Sequence, residues 1–381
     1  MNFSPIIERV RGALKVKGQF SIPYQKQESF LNSLTTPSCL IERSYRQYEC
    51  FKFFVSWPTL FLLNVLGFIL GNLFLLLCLF SFRPKRADKL DAIIDIHSDN
   101  DNIIPQSLKK EFPNMLDTEF DNKPYLSLTD FGYVCRIILK HPFECWFIFK
   151  VIFKISKYSA YIAKHSPRAF IVHNEYSFTS SVLTDYCNRN SIEHINFQHG
   201  ERMWQLQCSF FTYDRCYVWD EYYINVMTEL RAKARFIIEH PLTVKFDVAQ
   251  LRKPESFYDL KYYLSIVDDE VMANIAQAMK RYGEKGFKWC VRLHPNYTDI
   301  NIVSKYISEE NIEPRNIGIE ESLSNADNVC ALYSTVLFQA YMNGINVVID
   351  DISEQEKYDQ LDSFKYIMMD KPHKTLSELT K

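Results

Sequence analysis

Apolar and polar positions along this chain follow three patterns. The first is an uncharged run over residues 53–82, whose centre reads PTLFLLNVLGFILGNLFLLLCLF from Pro58 to Phe80. The second is a helical period over residues 128–165, including a stretch from Trp146 to Ile162 that carries Lys150, Lys154 and Lys157. The third is an alternation of short apolar runs with amphipathic stretches. It starts at Leu90–Ile96 (LDAIIDI), a predicted buried strand, and resumes with a strand at Arg168–His173. A helix follows over Phe178–Asn188, with Ser177 or Thr179 as N-cap, then strands at Glu193–Phe197 and Arg215–Trp219. Tyr222–Ala234 reads as helix and Phe236–Ile238 as a short strand. Beyond Lys253-Pro254-Glu255, which reads as a linker, the alternation restarts. It predicts strands at Tyr262–Val267, Lys288–Leu293, Asn316–Ile319, Asn328–Leu332 and Asn346–Asp350. Helices are predicted at Asp268–Tyr282, from Ile302, at Ile319–Asn325 and at Thr335–Asn343. Residues 1–52 show no clear period and read as irregular. Strand–helix alternation in both halves predicts an α/β protein with parallel, doubly wound sheets.

The uncharged run is long enough to cross a bilayer, which takes about 20 apolar residues. It starts too far from the N-terminus, and is too long, to be a signal peptide. Arg83, Lys85, Arg86 and Lys89 follow it and favour a cytoplasmic C-terminal side. Three arrangements fit: a single span, a hairpin broken near Gly67–Asn72 that dips into one leaflet, or a buried helix pair. The lysine-bearing stretch reads as an amphipathic helix with a basic face, on a core or on a membrane surface.

Composition narrows the function. Hydrophobic residues are 47% and charged residues 24% of 381, a folded balance. A formal charge of -2 gives no basic excess for nucleic acid. Ten glycines form neither a GxGxxG fingerprint nor a GxxxxGK[ST] loop. Ten scattered cysteines without a CxxC pair suit a reduced compartment.

Ligands of doubly wound sheets bind beyond the carboxyl ends of strands, so residues there are the candidates. His294-Pro295 ends one strand, with Arg292 two residues earlier, and an imidazole so placed can donate to a phosphate. Ser334-Thr335 follows a strand and opens a helix, where hydroxyls and free N–H groups suit an anion. Gln198-His199-Gly200-Glu201 ends another strand, and Glu175 ends the one before it; either could supply a general base. Asp220-Glu221 and Asp350 also end strands. Asp95, His97, Asp99 and Asp101 have a metal-like spacing, with Asp99 and Asp101 forming a DxD triplet in a turn-rich segment. Asp268-Asp269-Glu270 reads as the acidic first turn of a helix.

Taken in order, NFQHG, YVWDE, VRLHP and ADNVCALYSTVLFQAYMNGINVVI resemble GT-B glycosyltransferases of bacterial surface polysaccharide synthesis, over about residues 165 to 352. That group includes bacterial sialyltransferases, capsule Kdo transferases and, more distantly, teichoic-acid glycerophosphotransferases. The resemblance implies two Rossmann-like domains facing a cleft, an acceptor domain at 83–252 and a nucleotide-sugar donor domain at 253–381. They would follow a polar-aromatic segment at 1–52 and a membrane-associated segment at 53–82. It implies a CMP-activated sugar as donor, with no cofactor and no obligatory metal. It implies a lipid-linked oligosaccharide as acceptor and a catalytic body on the cytoplasmic side of a bacterial inner membrane. His294, with Arg292 and Pro295, would meet the donor phosphate; Ser334 and Thr335 would bind the same group. Gln339 stands where many relatives carry an acidic residue at the nucleotide. The base stays open among His199, Glu201 and Glu175, and the Asp/Glu-Asp/Glu-Gly motif of several sialyltransferases is not present. Alternatives are a metal-dependent UDP- or GDP-sugar transferase using Asp99 and Asp101, a polyol phosphotransferase using a CDP donor, and a non-catalytic assembly protein of GT-B shape.

Overall fold

The computed structural model describes residues 16–96, 101–118, 124–254 and 257–381. They form two compact units. Unit 1 runs to residue 199 and resumes over 204–239; unit 2 comprises 200–203 and 240–381.

Unit 1 is built on six parallel strands: β1 (Ala92–Asp95), β2 (Met115–Asp117), β3 (Ala169–Val172), β4 (Glu193–Phe197), β5 (Thr212–Val218) and β6 (Lys233–Ile238), in the order β2-β1-β3-β4-β5-β6. Its principal helices are α1 (Tyr24–Ser33), α2 (Leu40–Lys52), α3 (Trp57–Leu79), α4 (Leu128–Lys140), α5 (Cys145–His165), α6 (Ser180–Arg189) and α7 (Glu221–Glu229). Alternate strand residues face opposite sides of the sheet. Ile93 and Phe170 join the core made with α2 to α6, and Ala92, Ile94, Ala169 and Ile171 join the core on the other face.

Unit 2 has five parallel strands: β7 (Tyr258–Tyr263), β8 (Trp289–Arg292), β9 (Ala326–Ala331), β10 (Asn346–Ile349) and β11 (Lys374–Thr375), in the order β11-β10-β9-β7-β8. Its main helices are α8 (Asp269–Glu284) and α9 (Thr335–Met342). In each unit the first strand is flanked by the second on one side and the third on the other. The chain therefore reverses direction across the sheet between β1 and β3, and again between β7 and β9. Such reversal points open a crevice at the carboxyl ends of the strands.

The N-terminal stretch expected to be irregular forms α1 and α2 in its described part. Their period is unreadable because polar side chains face inward. Arg43 donates to Thr212 Oγ1 at 2.8 Å, Gln47 donates to the Glu175 carbonyl at 2.7 Å, and Ser44 Oγ accepts from the Val182 N–H at 2.7 Å. Three later expectations also shift. β7 starts at Tyr258 because Lys261, buried within it, pairs with Glu313 at 2.6 Å. α7 stops at Glu229, before Arg231 adopts a left-handed φ of 60°. Residues 316–318 form no strand, and Ile319–Ser324 is helical. The division falls after Glu239, not at the Lys253 linker. α9 holds the intervening stretch in unit 2: Gln339 donates to the Thr243 carbonyl and Asn343 to that of Val244, both at 2.8 Å.

The apolar run is one unbroken helix, α3, so the expected hairpin break near Gly67–Asn72 does not occur. Among the described residues it alone is long and apolar enough to cross a membrane. Leu63, Gly67, Gly71, Phe74 and Cys78 make a buried seam against α5. Trp57, Phe61, Phe68, Leu76 and Leu79 are exposed. Asn64, an odd residue in such a run, accepts the N–H of Trp146 at 3.1 Å and so caps α5. A Cβ on Gly67 would fall 2.5 Å from the Trp146 nitrogen. Gly67→Leu is therefore expected to force α3 off α5 and cost about 1–3 kcal/mol in denaturant unfolding. Gly71→Ala, whose Cβ meets Phe149 at an ordinary 3.7 Å, is the control expected to stay near wild type.

Two of the three lysines on the basic face of α5 turn inward. Lys154 and Lys157 turn to Asp95 at 3.6 and 3.2 Å, and Asp95 also accepts from Thr118 at 2.8 Å. Burial lowers the Lys157 ammonium to about 8 despite the carboxylate beside it.

Candidate functional site

The sequence-derived candidates gather at the carboxyl edges of the two sheets. In unit 2, β8 runs into His294-Pro295, and β9 runs into Ser334-Thr335 at the start of α9. β7 lies between β8 and β9. At about 4.8 Å per strand, the two loops leave the sheet about 10 Å apart, the scale of a phosphate and its ribose.

His294 is half-buried, and its position is fixed by its own turn. Its N–H donates to Thr298 Oγ1 at 2.9 Å, and that hydroxyl donates to the Ser265 carbonyl at 2.8 Å. The ring stacks on Tyr297 with centroids 4.4 Å apart. The Asn296 N–H reaches Nδ1 of His294 at 3.1 Å. A backbone N–H can only donate, so Nδ1 is the acceptor and the proton of the neutral ring sits on Nε2. Burial holds its pKa below the ordinary histidine value, which favours that neutral form. The result is a fixed Nε2–H donor at a strand's carboxyl end.

Ser334 caps α9 by accepting the Val336 N–H at 3.4 Å. Thr335 Oγ1 accepts the Glu201 N–H at 2.9 Å, an interaction within unit 2, since residues 200–203 belong to it. Gly200 suits this approach, because a Cβ there would sit 3.3 Å from the same hydroxyl.

Two expected donor contacts have structural work instead. Arg292 pairs with Glu313 and donates to the Ile317 carbonyl at 2.8 Å. Burial alone would raise the Glu313 carboxyl, but Lys261, Ser322 and Arg292 hold it below the usual range. Gln339 is buried, with its amide on Thr243. Asp350 is also structural: it accepts from Tyr262 at 2.5 Å and from the Ile352 N–H at 2.8 Å.

In unit 1, His199 follows β4 and is exposed, with Nδ1 3.1 Å from Nδ1 of His173. Glu175 is wholly buried and accepts from Asn196 at 3.0 Å, which takes it out of reach of an acceptor hydroxyl. Asp220 caps α7 through the Tyr222 N–H at 2.8 Å. His97, Asp99 and the Asp101 side chain lie outside the described residues. Among the described residues no group of three or more metal-ligating side chains occurs.

No protein-family model and no curated protein matches this chain. Among solved structures, the wall teichoic acid polymerase TagF is similar over 91% of this chain and 89% of its own, with 12% identity and a TM-score of 0.45. A glycosyltransferase from Rickettsia africae ESF-5 is similar over 76% and 84%, with 10% identity and a TM-score of 0.36. The glycotransferase of kitacinnamycin is similar over 78% and 89%, with 10% identity and a TM-score of 0.43. At TM-scores below 0.5 these likenesses decide neither activity nor substrate.

One residue of the site has no signal in the sequence. Tyr366 is fully buried, and its hydroxyl accepts the N–H of Ser334 and donates to the Ser334 carbonyl, both at 3.2 Å. Burial first, and the charge of Glu201 next, keep this phenol protonated. It clamps the backbone at the mouth of α9. Tyr366→Phe keeps the packing and removes the clamp. The expected result is a stability loss of about 1 kcal/mol, measured by denaturant unfolding.

Proposed function

We propose that this protein is a GT-B glycosyltransferase of bacterial surface polysaccharide synthesis. It transfers an acidic sugar of the sialic acid type from a CMP-activated donor to a hydroxyl of a lipid-linked oligosaccharide, with inversion and without a metal. The observation that carries the reading is the fixed Nε2–H of His294, on the same sheet edge as the Ser334-capped N-terminus of α9. A CMP-sugar leaves with one phosphate, and a pre-aimed neutral donor with a helix N-terminus stabilises the charge that grows on it.

In the proposed step the acceptor oxygen attacks the anomeric carbon. The bond from that carbon to the phosphate oxygen breaks with its electron pair and leaves CMP. The acceptor's proton passes to His199, the exposed histidine after β4. The exposed apolar side of α3, with exposed Arg83, Lys85, Arg86 and Lys89 after it, suits attachment to the cytoplasmic face of the inner membrane, where a lipid-linked acceptor resides.

The test is a nucleotide screen by thermal stabilisation, with and without EDTA. The full chain in detergent is used, because α2 and α3 contribute Tyr48, Leu63 and Phe74 to the core of unit 1. CMP at about 100 times its dissociation constant should add about 2.7 kcal/mol. Stabilisation by UDP or GDP alone, requiring a metal, would overturn the donor assignment. No stabilisation by any nucleotide would favour a non-catalytic protein.

A further inference from the structure

Among the histidines the candidate set does not use, one lies at a strand's carboxyl end beside His199. His173 follows β3, next to the point where the order of strands in unit 1 reverses. Its Nε2 lies 3.0 Å from the carbonyl oxygen of Ile96, the residue after β1, and its Nδ1 lies 3.1 Å from Nδ1 of His199. The two rings stand 4.1 Å apart at 64°.

With both rings neutral, these contacts assign the protons. A carbonyl oxygen only accepts, so Nε2 of His173 carries a hydrogen. A neutral imidazole has one N–H, so Nδ1 of His173 is then an acceptor. The hydrogen between the rings belongs to His199, on Nδ1. In that tautomer the lone pair of the His199 ring sits on Nε2. We propose that His173 is a positioning residue that holds His199 in the Nδ1–H tautomer, making Nε2 the nitrogen that takes the acceptor's proton. The identity of that hydroxyl rests on the glycosyltransferase reading; the tautomer does not.

The arrangement tolerates the proton it collects. When Nε2 is protonated, His199 keeps its Nδ1–H on His173, and no ring has to turn. His294 shows the opposite case, since a backbone N–H at its Nδ1 leaves Nε2 as a donor. Two histidines past the carboxyl ends of parallel strands, β4 and β8, thus serve as acceptor and donor, each set by the partner at its Nδ1.

The experiment is a long-range 1H–15N spectrum of the full chain labelled with 15N-histidine, at a pH where the rings are neutral. His199 is assigned by the signals lost in His199→Gln. The expected wild-type pattern is a protonated Nδ1 and an unprotonated Nε2. In His173→Phe the pattern should reverse, and kcat should fall about 10²-fold, the low end of what a general base contributes, with CMP stabilisation unchanged. A protonated Nε2 in the wild type overturns the proposal, as does an unreversed pattern in the variant. The wild-type readout needs only His199→Gln, a change at an exposed position, so a poorly folded His173→Phe leaves the test intact. A reversed pattern with unchanged kcat would leave the tautomer standing and remove His199 as the base.

Discussion

Replacing His294 with alanine should lower kcat about 10²–10³-fold and weaken CMP stabilisation, while the melting temperature without nucleotide moves little. The magnitude is that of removing one pre-aimed donor from a growing negative charge. The fold should survive because the turn is held by backbone. The His294 N–H still meets Thr298 Oγ1, and Thr298 still reaches the Ser265 carbonyl. The one new orphan is the Asn296 N–H, which is exposed and finds water. His294→Gln, which can present an amide N–H, should recover part of the loss. The pH dependence follows from the direction of the shift. Burial depresses the His294 pKa, so the neutral Nε2–H form persists below the ordinary histidine value, and CMP binding should stay level from pH 8 down to about 6.5. A histidine binding the phosphate as a cation would instead gain affinity as the pH falls across that interval. Calorimetric titration with CMP across it separates the two.

His199→Ala should lower kcat about 10²–10⁴-fold, the range of a general base, yet leave CMP stabilisation intact. The two parts of the prediction distinguish it from His294→Ala. His199 belongs to unit 1, whereas the nucleotide-binding candidates all belong to unit 2. An unchanged kcat would shift the role to Glu201, the remaining candidate, since Glu175 is buried behind Asn196. Measuring initial rates and CMP melting shifts on both variants separates the base from the donor contact.

The legible part of the site shares a feature. His294, Ser334 and His199 follow runs such as KWCVRL, NVCAL and EHINF, which are apolar enough to read as buried strands. A residue just past such a run lies at a parallel sheet's carboxyl edge, whatever its neighbours are. The illegible part depends on polar residues facing inward. Gln47 and Arg43 erase the apolar stripe of α2 by turning to backbone carbonyls of distant segments. Lys261 makes β7 look like linker. Lys154 and Lys157 read as a basic surface because Asp95, 62 residues before Lys157, is not visible as their partner. Arg292 reads as a phosphate ligand until Glu313 is seen beside it.

Most of the strand–helix alternation beyond Arg168, the presence of one uncharged helix and the strand-end positions of His199 and His294 were determined by the sequence alone. Each follows from local periodicity, which a chain carries without folding. Tertiary structure decided which faces of those elements are buried and what each polar atom meets. Tyr366 reaches Ser334 across 32 residues, and His173 reaches both His199 and Ile96 across strands that only the sheet brings together. Hydrogen bonds of this kind depend on atoms within about 3 Å of each other, a property of three-dimensional packing that no spacing along the chain encodes.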